Sequence, residues 1–166
     1  MATLVTNPFL GQPITLSRAP QVTSGAGSVT ASGTTLTITP DSGFTGRIVV
    51  SYEALDATGS ASRAVVGTVT VTVASPPDAP TGVRAEPSGI SAMAVSWSPG
   101  ADHGSPITSY IVTETGGAGT WTCTASPCRA DGLTTGGTYS FRVVAVNGAG
   151  RSAPSTPSAQ IGRAHV

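Results

Sequence analysis

The chain has 166 residues, with eight acidic and eight basic side chains, a formal net charge of zero and only 10% charged residues. Every basic residue is Arg, and a neutral, Lys-free chain lacks the basic field that nucleic-acid binding needs. No apolar run reaches the roughly 18 residues of a membrane-crossing helix, and 25 Thr, 20 Ser, 21 Gly and 17 Val against 6 Leu predict an all-β fold, since β-branched residues suit a pleated surface and Gly suits turns.

Met1 to Gly11 has no basic stretch followed by an apolar core, so it does not read as a secretory signal. Ala2 to Pro20 carries Pro8, Phe9, Leu10 and Pro13 without strand patterning. Ile14-Thr15-Leu16 is the first strand candidate. Thr35 to Thr39 alternates, with Leu36 and Ile38 on one face, and Pro40-Asp41-Ser42-Gly43 is turn chemistry. Arg47 to Leu55 places Ile48, Val50 and Tyr52 on one side. A second turn, Asp56-Ala57-Thr58-Gly59, leads to a long strand from Ala64 to Val73, where Val and Thr alternate. Closely spaced turns and no helical period predict a β-sandwich.

Ala74-Ser75-Pro76-Pro77-Asp78-Ala79-Pro80 cannot continue a central strand and reads as an extended, semi-rigid connector. It divides the chain into a first domain (1–75, including an N-terminal arm), a linker (76–80), a second domain (81–162) and a tail (163–166). In the second domain, Met93, Val95 and Trp97 alternate, as do Tyr110 and Val112, and then Tyr139, Phe141, Val143 and Ala145. Leu133 and Tyr139 flank a strand entry at a spacing that suits a tyrosine corner, in which the phenol bonds upstream backbone.

Two resemblances follow from these residues. Ser28-Val29, Leu36 to Gly46, Ile48, Tyr52 and Asp56 are similar to the bacterial cadherin-like or Ig-like repeats of surface proteins, over residues 26 to 74. Many such repeats bind Ca²⁺ through clustered acids, but the first 75 residues hold only Asp41, Glu53 and Asp56, too few for six to eight oxygen ligands. No metal is expected. Pro77-x-x-Pro80-x-x-Val83, Val95-Ser96-Trp97, Pro106 to Val112 and Tyr139 to Gly150 closely resemble fibronectin type III, over residues 77 to 161. The two resemblances imply two tandem Ig-like β-sandwiches. The fibronectin type III resemblance implies core roles for Trp97 and Tyr139, and the strand pattern and corner spacing add Tyr110 and Leu133 as core markers. The Arg-Gly-Asp attachment tripeptide of some members is absent.

The fibronectin type III resemblance also places Cys123 and Cys128 on the two arms of a short hairpin, where a disulfide can form; two free thiols are the alternative. A zinc site would need both cysteines together with His103 and His165, and no Cys-x-x-Cys opens a helix for redox work. The same resemblance puts Trp121 near an exposed hairpin, as a recognition aromatic or as packing. Arg129 and Arg151 are surface-binding candidates or a solvated face. Ser105, His103 and Asp102 lie too close in one loop to converge as a triad. Scattered acids without a cleft do not support glycosidase chemistry. The expectation is therefore a non-enzymatic protein without cofactor.

Three roles remain open. The first is a bacteriophage virion component, a capsid decoration or tail-associated protein anchored by its N-terminal part, with Phe9 and Leu10 at the particle. Extracellular-type folds without an export signal motivate it, as does Arg-only basic usage, which fits a high-GC genome. Its partners would be capsid or tail proteins and host cell-surface glycans, in a homo-oligomeric array on the particle. The second is a pair of spacer modules from a secreted bacterial adhesin or polysaccharide hydrolase. The third is a carbohydrate-binding module that uses Trp121.

Overall fold

A computed structural model describes residues 15–33, 35–56 and 58–162. The chain forms two compact units that divide after Val73. Both are β-sandwich structures. Among the described residues the one helical element is a single 3₁₀ turn, Ala61–Arg63.

The first unit contains β1 (Thr15–Leu16), β2 (Gln21–Ser24), β3 (Gly27–Ser32), β4 (Thr35–Pro40), β5 (Gly46–Leu55) and β6 (Val65–Val73). β5 is the centre of its sheet. β1 and β2 lie along one side of it and β6 along the other, all antiparallel. β3 and β4 form a separate hairpin. The alternation at the start of β5 sends Ile48 and Val50 inward, where with Val69 of β6 they form the buried centre. Val22, Val29, Leu36, Ile38, Phe44 and Tyr52 close over that centre as half-buried side chains. The strands β2 and β3 run through Gln21 to Ser32, where only Val22 and Val29 are large and apolar, so the pattern rule finds little there.

At the turn after β5, Asp56 accepts hydrogen bonds from the hydroxyl and the amide of Thr58, and Arg63 reaches it at 2.7 Å. The Thr58 hydroxyl holds the Asp56 carboxyl below its ordinary range. Desolvation pushes the other way, and the Thr58 amide and the Arg63 charge add to the lowering. A depressed carboxyl contributes stability above its unfolded pKa, near 4, and loses that contribution as pH falls through the folded value. Asp56→Asn is therefore expected to be less stable than the native chain at neutral pH. The gap should narrow in urea titrations run below about pH 4, and equal acid slopes for the two proteins would refute the coupling.

The second unit contains β7 (Thr81–Pro87), β8 (Ala92–Ser98), β9 (Ile107–Glu114), β10 (Thr120–Cys123), β11 (Cys128–Asp131), β12 (Thr138–Tyr139), β13 (Phe141–Asn147), β14 (Gly150–Arg151) and β15 (Ile161–Gly162). Its two sheets run in the order β10-β9-β13-β14 and β11-β8-β7, and β12 pairs with β15. Met93, Val95, Val112, Phe141, Val143 and Ala145 are fully buried between them, and Trp97 and Tyr110 lie ring to ring at 4.9 Å. The Tyr139 hydroxyl accepts the Thr134 amide at 2.8 Å and donates to the Thr134 carbonyl at 3.0 Å, which fixes the chain at the entry to β13.

After β14 the chain leaves strand geometry but stays on the sheet. In Ser152-Ala-Pro-Ser155-Thr-Pro-Ser158 every third residue is buried and the two prolines face water. The amides of Ser152, Ser155 and Ser158 donate to the carbonyls of Ala145, Val143 and Phe141. The amides of those same three residues donate back to the serine hydroxyls, at 2.9–3.0 Å. Each hydroxyl in turn donates a hydrogen bond to the carbonyl of the following residue. A period of three with proline at the exposed positions is polyproline-like. Side-chain oxygens thus replace the missing strand and satisfy the outer side of β13.

Candidate functional site

The chemistry-bearing residues of the second unit gather in two places. The first is the crossover between its sheets. β10 pairs with β9, and β11 pairs with β8, so Cys123 and Cys128 lie on strands of different sheets rather than on two arms of one hairpin. They are joined by a disulfide, with Cα atoms 5.8 Å apart. The bridge clips one sheet to the other at the point where the chain changes sheets. Cys128 is fully buried, because β11 faces the interior on that side. Replacing both residues with Ala is expected to cost about 2 kcal/mol, since the closed loop is short and little chain entropy is at stake. Urea unfolding of C123A/C128A checks this, and an unchanged midpoint would show that the bridge carries no stability.

Trp121 stands beside this bridge. Its ring meets Phe141 edge-on at 5.9 Å, and its Nε1 donates to the Asp131 carbonyl at 3.2 Å. The side chain is half-buried and packed against the interior, so much of its apolar face is already covered. Arg129 lies outside, with Nε 2.6 Å from Asp131 and one Nη 3.5 Å from the Ser88 hydroxyl. Arg151 is exposed on β14, away from Arg129 in the sheet order. The three candidates for surface binding therefore form no single patch built on Trp121. Phe9 and Leu10 lie outside the described residues.

The second place is the loop end nearest the connector. Asn147 is buried and acts as a hub. Its Nδ2 donates to the carbonyls of Ser75 and Asp102 at 2.9 Å and of Ser105 at 3.2 Å. Its Oδ1 accepts the amides of Ala149 at 2.9 Å and Gly150 at 3.0 Å. One side chain thus ties together the connector, the β8–β9 loop and the β13–β14 turn. His103 sits in that loop with φ at 51°, and its Nε2 meets Asp78 at 2.9 Å. The amide of Asp78 also bonds the Ala101 carbonyl, and Pro77 and Pro80 are buried. The connector residues are part of the second unit, held against its loops.

The Ser105, His103 and Asp102 side chains diverge. Ser105 accepts the Gly148 amide, Asp102 accepts the Gly104 amide, and His103 turns to Asp78. Among the described residues no group of His, Cys, Asp or Glu is placed to hold a metal ion. An open groove in the first unit is lined by Leu16, Arg18, Pro20, Val29, Thr30 and Ala31, and among its described lining residues Arg18 is the ionisable one. The arrangement offers hydrogen-bonding loops and paired surface charges, and among the described residues Ser105 is not held by His103.

The signals for Asn147 and for the serine triplet are weak in the sequence. Asn-Gly after a strand reads as a turn, and its acceptors lie 72, 45 and 42 residues away. A spacing of three in a Pro-rich stretch is the one local clue to the serines.

Comparison with known proteins agrees with this geometry. A titin homolog of Caenorhabditis elegans is 48% identical over an alignment of 69 residues that covers 38% of this chain and 0% of the relative. The chain thus spans only a very small share of the curated relative it matches. A crystal structure of domains A168-A170 from titin covers 92% of this chain and 54% of its own length, at 23% identity and a TM-score of 0.58, which supports the fold. A structure of titin kinase and its flanking domains is 31% identical over 53% of this chain and 17% of its own, with a TM-score of 0.47. The family model described as fibronectin type III domain matches residues 78–161. It begins after the first unit and does not extend to the cadherin-like resemblance of residues 26 to 74. With β7 to β15, the buried Trp97, the Tyr139 corner and that match in register, the chain belongs to the fibronectin type III domain family.

Proposed function

We propose that the chain is a non-catalytic structural and adhesion module that holds exposed loops away from whatever surface carries it. The observation that supports this reading is where its polar chemistry sits. Catalysis needs ionisable groups that converge in a water-poor site. In the second unit those groups pair off at the surface instead: His103 with Asp78, Arg129 with Asp131, and Arg142 with the Ser155 carbonyl. Most of the large apolar side chains are consumed by two interiors. The modular titin proteins carry that name for themselves; what this chain shares with them is the module.

The finer reading is a bacteriophage virion component, a capsid decoration or tail-associated protein with its fibronectin type III unit outward. The Cys123–Cys128 bridge supports a final environment outside a reducing cytosol. The same bridge equally favours spacer modules of a secreted surface protein, which is the second reading. Peptide mass spectrometry on fractions of the native source separates them. Peptides of residues 78–161 are expected to band with purified particles through a density gradient. Recovery only from the cell wall or the medium would overturn the virion reading and leave the spacer reading. Turnover of a substrate by the purified chain would overturn both.

A further inference from the structure

Among the described residues, the sheet of the first unit has an open edge. β6 pairs with β5 along its whole length, from Val73 opposite Gly46 to Val65 opposite Ala54, without a register shift. Among the described residues no strand pairs with its other side. Such an edge presents a row of unpaired N–H and C=O groups, and natural sheets blunt it with charge, proline, a bulge or shortness. The second unit follows that rule. β7 carries Arg84, Glu86, Pro87 and a register shift, β10 and β11 are four residues each, and the serines with Pro154 and Pro157 cover β13.

β6 has none of these devices. It is nine residues long and reads Val65-Val66-Gly67-Thr68-Val69-Thr70-Val71-Thr72-Val73. Its one glycine serves packing rather than a bulge, since a Cβ at Gly67 would lie 2.4 Å from the Tyr52 ring. Val65 and Val66 stand 67% and 61% exposed, the most exposed large apolar residues of the first unit among those described.

We propose that β6 is the surface through which two copies of this chain join, edge to edge and antiparallel, about a twofold axis. The sequence of the strand argues for a copy of itself. With the axis at Val69, Val65 of one copy faces Val73 of the other, Gly67 faces Val71, and Thr68 faces Thr70. The inward valines then run on across the junction, and hydroxyls meet hydroxyls on the outer face, a favourable cross-strand pair. Any charge near such an axis would meet its own sign, and β6 carries no charge over its nine residues. The valines exposed at one end of the strand are covered by the other end of the second copy. A single-strand junction falls below the roughly 1,200 Å² of a stable interface, so the pairing is weak in dilute solution and gains from crowding of many copies on one surface. The proposal does not depend on which surface carries the chain.

Sedimentation velocity on the full chain, from about 10 μM to about 1 mM, spans the affinities in question. The expected result is a monomer that becomes a dimer as concentration rises. Thr68→Lys/Thr70→Lys and Thr68→Glu/Thr70→Glu should each abolish the dimer while leaving the melting temperature unchanged, because both threonines face water. Mixing the two variants should restore a dimer, since Lys and Glu then face each other across the axis. A chain that stays monomeric throughout, or a Lys variant that associates like the native chain, would overturn the proposal. So would a monomer whose outward β6 amides are protected from hydrogen exchange, because another segment of the same chain would then fill the edge.

Discussion

Phe141→Ala is expected to lower the stability of the second unit by about 3–5 kcal/mol, the range for deleting a fully buried phenyl ring. Phe141 has no exposed surface, and its ring is the contact shared by Trp121 on one side and Tyr139 on the other, at 5.9 and 6.4 Å. Truncation leaves both neighbours facing a void. The loss is a large fraction of the roughly 5–15 kcal/mol that holds a domain of this size folded. At about 4–8 °C per kcal/mol, the midpoint should fall by more than about 10 °C. Both Trp residues of the chain, Trp97 and Trp121, lie in this unit, so tryptophan fluorescence reports its unfolding without interference from the first. Phe141→Leu keeps most of the volume and should lose much less. Equal losses for Ala and Leu would mean that the ring contacts, and not the filled volume, carry the stability.

Asn147→Ala is expected to cost about 2–4 kcal/mol, since it strands several buried polar groups at once. The amide donates to three carbonyls and accepts from two amides, and methyl replaces none of these bonds. Asn147→Asp separates the donor half from the acceptor half. It keeps the bonds to Ala149 and Gly150 but aims a carboxylate at three carbonyl oxygens. That variant should be as unstable as Ala at neutral pH and should recover in part in acid, as a protonated carboxyl can donate again. Limited proteolysis supplies a second readout. Ala74 to Pro80 should become more readily cleaved in the Ala variant, because the bond from Asn147 to the Ser75 carbonyl, one of its ties to the loops, is gone. A connector that resists protease equally in both proteins would count against the hub.

The alternation of apolar residues carried most of the fold, because side-chain direction in a strand has a period of two residues. Met93, Val95 and Trp97, or Ile48 and Val50, announce a buried face by spacing alone. Three features escaped that reading for physical reasons. The serines at 152, 155 and 158 form hydrogen bonds rather than apolar contacts, and their spacing belongs to a helix without internal bonds, so no hydrophobic pattern marks them. Cys123 and Cys128 are close enough in the chain to look like hairpin arms, and only the pairing of β10 with β9 and of β11 with β8 shows that the chain changes sheets between them. Trp121 and Asn147 owe their roles to partners in other strands and loops. The single-sequence view sees the residue but not what it meets.

The position of the sulfur bridge also bears on survival in harsh surroundings. Thr124, Ala125 and Pro127 are the exposed residues inside its ring. A scission among them would make two polypeptides, yet the pieces would stay covalently attached through sulfur, with both sheets still packed. Only a thiol reductant would release them. A nicked molecule would therefore run as an intact one on a non-reducing gel and keep presenting the same outer loops.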